Sequence, residues 1–213
     1  MTAILVCGGT LSAAFLREVT EKLKDAAVYA VDGGLTVCHE AGIVPEYLVG
    51  DFDTVSGSLV AQYEKKCKTL RHQPEKDATD TELAIDAALE AGTKELILLG
   101  ATGSRMDHTM ANVHMLHHVL LKGGCAALVD EHNRITLHDT SFTRKTSELF
   151  GNYISFLPFF GEVEGVTLTG MKYPLKGHTL TAGNSLGISN EAVAEQIEVS
   201  FTKGYLLMIE ARD

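Results

Sequence analysis

Six aspartates stand in short polar turns between apolar runs and helical patterns. Asp32 lies in Val31-Asp32-Gly33-Gly34, and Asp51 and Asp53 in Gly50-Asp51-Phe52-Asp53-Thr54. Asp77 and Asp80 lie in Lys76-Asp77-Ala78-Thr79-Asp80-Thr81, and Asp107 in Gly100-Ala101-Thr102-Gly103-Ser104-Arg105-Met106-Asp107-His108. Carboxylates gathered at one edge repel each other and resist ionisation. A hard divalent cation relieves that repulsion, and Mg²⁺ in particular bridges carboxylates to substrate phosphates. Asp51 and Asp53 are two apart, so an extended segment points both the same way. Asp77 and Asp80 are three apart, which puts them on one side of a helical turn. Gly8-Gly9, Gly33-Gly34 and the pair Gly100 and Gly103 stand where a phosphate would approach the backbone, and helix N-termini there offer free N–H donors. None of these forms a GxGxxG or GxxxxGK[ST] fingerprint.

Each turn also has a plainer reading. Thr79 and Glu82 make a capping box, which leaves Asp80 as a first-turn carboxylate favoured by the helix dipole. Ser104 and Asp107 read the same way, Asp32-Gly33 reads as a turn, and Asp51 with Asp53 as a solvated loop. The recurrence of one residue type in four separate turns favours chemistry. His114 and His118 are four apart on a helix, but no HExxH carboxylate or third ligand accompanies them, so they read as polar-face or partly buried histidines rather than a zinc site.

The elements that must position these turns alternate. Strand-length apolar runs fall at residues 4–7, 28–31, 47–49, 96–99 and 126–129. Helical patterns lie between them, over 11–24, 79–91 and 106–120, the last with Met106, Met110, Val113, Leu116 and Leu120 as its apolar stripe. Such alternation predicts an α/β fold with a mostly parallel sheet flanked by helices. Ligands of such sheets bind beyond the carboxyl ends of the strands, where all the aspartates would converge. After Asp130 the pattern turns to short β-like runs at 153–157, 166–168, 196–201 and 205–209, punctuated by glycine. That spacing predicts a C-terminal antiparallel β-sandwich or barrel. The expected domains are 1–130 and 131–213.

Bulk properties exclude some classes. The 213 residues are 45% hydrophobic and 22% charged, ordinary for a folded protein. A formal net charge of −10 disfavours nucleic acid as a general partner. Four scattered cysteines form no CxxC pair, which predicts free thiols in a reducing compartment. The opening apolar run is too short for a signal peptide or membrane span, so the expected location is cytoplasmic, with no membrane partner.

Taken in order, the first-domain motifs together with Tyr173-Pro174-Leu175, Leu186-Gly187-Ile188-Ser189-Asn190-Glu191 and Gly204-Tyr205-Leu206-Leu207 resemble the bacterial thiamine pyrophosphokinases along essentially the whole chain. The resemblance implies an ATP-binding α/β catalytic domain and a thiamine-binding β-sandwich. It implies a homodimer that holds thiamine between subunits, with ATP as co-substrate and Mg²⁺ as cofactor. It assigns Asp51, Asp53, Asp77 and Asp80 to the metal, and Asp51, Asp53, Asp80 and Asp107 to catalysis. Asp32, Gly33, Gly34, Thr102, Gly103, Ser104 and Arg105 would bind the nucleotide, and Ser189 and Asn190 thiamine. The chain has no tryptophan, so recognition of the cationic thiazolium is expected to lean on carboxylates, with Glu191 read equally as a solvated turn residue, and on small apolar contacts around 186–190. Three other activities share parts of this pattern. They are a pyrophosphokinase for a pterin alcohol, a DxD phosphohydrolase (with Thr54 where that family has glycine), and a nucleotide sensor without turnover.

Overall fold

The computed structural model describes residues 1–71 and 78–213, so the expectation for Asp77 lies outside the described residues. The chain divides into two compact units, Met1–Glu131 and His132–Asp213.

Among the described residues, the first unit carries six parallel strands in the order β4-β3-β2-β1-β5-β6. Its strands are β1 (Thr2–Val6), β2 (Ala27–Val31), β3 (Tyr47–Gly50), β4 (Lys68–Arg71), β5 (Glu95–Leu99) and β6 (Cys125–Val129). Helices α1 (Ala13–Lys22), α2 (Gly34–Ala41), α3 (Gly57–Tyr63), α4 (Asp80–Glu90) and α5 (Met106–Leu121) alternate with them. Ile4, Leu5, Leu48, Leu96 and Leu98 are fully buried. Unbroken apolar runs of this kind are what a strand covered on both faces requires. β4 was not legible because Lys-Thr-Leu-Arg carries one large apolar residue and sits at the sheet edge.

Two expectations change. On α5, Val113 and Leu116 are buried, but Met106 is 63% and Met110 48% exposed, so the N-terminal half of the predicted stripe faces away from the core. The Asp51–Asp53 segment is not extended: Phe52 takes a left-handed φ of 61° and the chain turns there.

The second unit is antiparallel, in the order β7-β12-β9-β11-β8, with β10 also on β9. Its strands are β7 (Asn133–His138), β8 (Phe142–Lys145), β9 (Tyr153–Thr169), β10 (Leu175–Leu180), β11 (Gln196–Ser200) and β12 (Lys203–Ala211). The 17-residue β9 joins two sheets: its first part pairs with β12 and its last part with β10 and β11. Phe160 and Gly161, at φ 57° and 141°, mark the corner between them. Both sheets feed one core, with Ile154, Phe156 and Met208 from the first and Val166, Ile197 and Val199 from the second.

Candidate functional site

The aspartate turns meet where β2 and β3 end. Asp32 follows β2 with φ 44°, an unusual value for a residue with a side chain, and its N–H donates to Val49 O at 2.9 Å. Phe52 is 4% exposed, so its buried ring anchors the next turn and leaves Asp51 and Asp53 at the surface. The Asp53 N–H then donates to Asp51 Oδ1 at 3.1 Å. Carboxylate oxygens of Asp32, Asp51 and Asp53 all lie within 4.8 Å of one another. Thr54 Oγ1 donates to Asp32 at 3.2 Å. Burial raises the Asp32 pKa, the Gly33 N–H and Thr54 oppose that rise, and the neighbouring Asp80 and Asp53 add to it. Left-handed backbone at two positions of one carboxylate cluster is strain of the kind that collects at working sites. The donor set is all hard oxygen, which fits Mg²⁺ and not a soft metal. Among the described residues this is the one cluster with such proximity, and it contains no histidine. His118 Nε2 instead lies 2.7 Å from Asp86 Oδ1, which Lys122 Nζ also approaches at 2.7 Å.

A cleft of about 740 Å³ opens at these strand ends. Gly8, Gly9 and Thr10 line it after β1, Asp32 and Gly33 after β2, and Thr79, Asp80 and Thr81 at the start of α4. The turn at residues 100–105 forms another wall, so Thr102, Gly103, Ser104 and Arg105 all reach the cleft. Thr79 Oγ1 accepts from the Glu82 N–H at 3.2 Å, so the predicted cap exists and Asp80 lines the cleft as well. The two readings of that motif are compatible.

Asp51, Asp53, Gly34 and Asp107 are not among the lining residues. Asp51 and Asp53 connect to the cleft through Asp32. Gly34 is required for packing instead: a Cβ there would stand 1.8 Å from Val6 O, so α2 can start against β1 only at a glycine. Asp107 is exposed and paired with Arg105, with Nη2 to Oδ2 at 2.6 Å and Nε to Oδ1 at 3.2 Å. That hydrogen bond, aided by the His108 N–H, holds the Asp107 pKa down at about 2.

Sequence reasoning missed the polar face of α5. His108, Thr109 and Asn112 line the cleft with Arg105, at the i, i+3, i+4, i+7 spacing of one helical face. The signal was present in that spacing but was masked by the apolar stripe assigned to the same helix.

In the second unit, Tyr173, Leu175, residues 184–188 and Asn190 line a hollow of about 460 Å³. Asn190 is 2% exposed and its carboxamide is committed to the backbone. Its Nδ2 donates to Tyr173 O at 2.8 Å, and its Oδ1 accepts from the N–H groups of Tyr173 and Glu191, each at 2.9 Å. It thereby fixes Tyr173, a residue 58% exposed that lines the hollow. Ser189 is exposed at φ 53°, donates its N–H to Ser155 Oγ at 3.0 Å and is not among the lining residues. Glu191 is already paired with Lys172 at 2.6 Å. The hollow thus has the small apolar contacts expected around 186–190, in Leu186 and Ile188, and adds the ring of Tyr173, while Glu191 is not among its lining residues.

Residues 20–128 match the family profile described as thiamin pyrophosphokinase, catalytic domain, and residues 139–206 match its vitamin B1 binding domain. The chain is 36% identical over 184 residues to a thiamine pyrophosphokinase of Bacillus subtilis, covering 86% of each chain. A crystal structure of thiamine pyrophosphokinase from Bacillus subtilis matches with a TM-score of 0.88 at 32% identity over all of both chains. Thiamin pyrophosphokinase from Candida albicans matches with a TM-score of 0.83 at 16% identity, over 99% of this chain and 88% of that one, a likeness of fold alone. Profiles over both units and a relative at this identity agree: the chain belongs to the thiamine pyrophosphokinase family.

Proposed function

We propose that this chain binds ATP in the cleft of its first unit and transfers the terminal pyrophosphoryl group to the primary hydroxyl of thiamine, releasing AMP. Thiamine pyrophosphokinase activity follows from its family. The observation that carries the site assignment is the convergence of Asp32, Asp51 and Asp53 beside a cleft also lined by Asp80, Arg105 and the 100–105 turn.

Asp32, Asp51, Asp53 and Asp80 are the residues proposed to hold Mg²⁺. The ion, when bound, supplies charge neutralisation to the transferring phosphate oxygens. The thiamine hydroxyl oxygen forms the new bond to the β-phosphorus. The bond from that phosphorus to the α–β bridging oxygen breaks, and AMP leaves with the oxygen. The hydroxyl proton passes to a carboxylate. Asp107 is poorly suited to accept it, because Arg105 holds its pKa at about 2. Its proposed part is to aim Arg105 at the cleft. Positioning and charge complementarity are then the main sources of rate.

Thiamine is proposed to enter the hollow of the second unit, where the exposed Tyr173 ring offers a face to the cationic thiazolium. Asn190 contributes by holding Tyr173 and Ser189 by shaping the loop. A homodimer with thiamine between subunits is the proposed assembly, and the reducing cytoplasm the proposed location. Among the described residues no disulfide joins the cysteines and no helix is long and apolar enough to cross a membrane.

Competition among alcohols tests the reading. With ATP and Mg²⁺, thiamine should support AMP release and a pterin alcohol should neither replace nor inhibit it. Phosphate release without an alcohol would favour the phosphohydrolase, and nucleotide binding without turnover the sensor.

A further inference from the structure

The turn at residues 100–105 is held by three consecutive carbonyls. Gly100 O accepts from the Gly9 N–H and Thr102 O from the Thr10 N–H, each at 2.8 Å. Between them, Ala101 O accepts from the side-chain Nδ2 of Asn112 at 2.7 Å. Asn112 is 9% exposed and lines the same cleft. In a trans peptide the carbonyl of one residue and the N–H of the next point in opposite directions. These carbonyls are turned onto Gly9, Thr10 and Asn112, so the N–H groups of Thr102 and Gly103 are turned away from those three donors. Neither N–H donates to any acceptor among the described residues, and both residues line the cleft. Successive backbone N–H groups aimed into one concavity make an anion site.

We infer that Asn112 is a positioning residue that locks the Ala101–Thr102 peptide so that the turn presents N–H donors to the nucleotide's phosphates. The two flanking carbonyls are held by backbone N–H groups, which only a proline at residue 9 or 10 would remove. The middle one depends on a single side chain, so the direction of this peptide is set by residue 112. A flipped peptide would offer the phosphates a carbonyl oxygen, which repels them. The inference rests on the reading that ATP occupies this cleft.

Direct titration of the full chain with ATP and Mg²⁺ tests it, beside the KM for thiamine. Loss of one hydrogen bond that leaves a buried carbonyl unpaired corresponds to about a tenfold weakening of ATP in Asn112→Ala. Asn112→Asp has nearly the same shape, but its carboxylate repels Ala101 O, so it should weaken ATP further. The thiamine KM should stay near the wild-type value in both. Where Asn112→Ala does not fold, Asn112→Ser, too short to reach the carbonyl, gives the same reading. Wild-type ATP affinity in these variants overturns the inference, as does a thiamine KM that rises in step. Wild-type protein that binds ATP but does not pyrophosphorylate thiamine overturns the proposed reaction and leaves the role of Asn112 to the titration. Failure of the wild type to bind ATP overturns both.

Discussion

At the residue scale, the aspartates differ in what they can do. Asp51 belongs to the carboxylate triad, whereas Asp107 is an exposed partner of Arg105. Asp51→Asn should lower turnover at least ~100-fold, the scale of losing one electrostatic group at a reacting centre. Asp107→Asn should cost less, about tenfold, and should act mainly on the ATP KM, because it frees Arg105 without removing it. Steady-state kinetics on both variants checks the order, and equal losses would contradict it. Part of the candidate site was legible. The repeated aspartates pointed to a carboxylate cluster, which Asp32, Asp51 and Asp53 form; Gly103 was marked by its place after a strand, and Thr102, Ser104 and Arg105, which line the cleft with it, only by the family resemblance. Asn112 was not, because a lone asparagine inside a helical pattern carries no signal until the carbonyl it meets is known. Asn190 was marked, but its commitment to the Tyr173 backbone needed the fold.

At the element scale, apolar runs announced β1, β2, β3, β5 and β6, since a strand covered on both faces must be apolar throughout. The shape of β9 was not visible, because its bend rests on a left-handed Phe160, a conformation that sequence seldom signals. β7 and β8 carry a further consequence. His138 in β7 stacks on Phe142 in β8 at 3.9 Å and shares a 3.0 Å hydrogen bond with Thr136. Burial, helped by Arg144 and Arg134, lowers its pKa from 6.5 to about 4. The unfolded chain thus takes up this proton at a higher pH than the folded one. The contribution is complete above 6.5, and stability is lost as pH falls from 6.5 towards 4. Thermal melts across that interval should show a falling Tm that is flatter in His138→Gln. Parallel pH slopes in the two proteins would contradict this origin.

At the scale of the whole molecule, the proposed reaction requires a nucleotide proposed for the first unit and thiamine proposed for the second to be brought together. The sequence announced both units through the change of pattern after Asp130, but an interface between copies leaves no periodicity to read. If each site draws its units from two subunits, two damaged chains can repair each other. Asp51→Asn and Asn190→Ala chains, mixed and allowed to exchange, should recover about a quarter of wild-type activity, since about half of the dimers are mixed and each has one intact site. Activity no higher than the average of the separate variants would indicate sites built within single chains.

The central claim is transfer of an intact pyrophosphoryl group to thiamine at the aspartate-lined cleft. ATP labelled with ³²P at the γ position, incubated with thiamine, Mg²⁺ and the protein, follows that group directly. The account predicts label in thiamine diphosphate with an equal amount of AMP, and formation of both at least ~100-fold slower in Asp51→Asn. Label in free phosphate or thiamine monophosphate, with ADP as the nucleotide product, would contradict it.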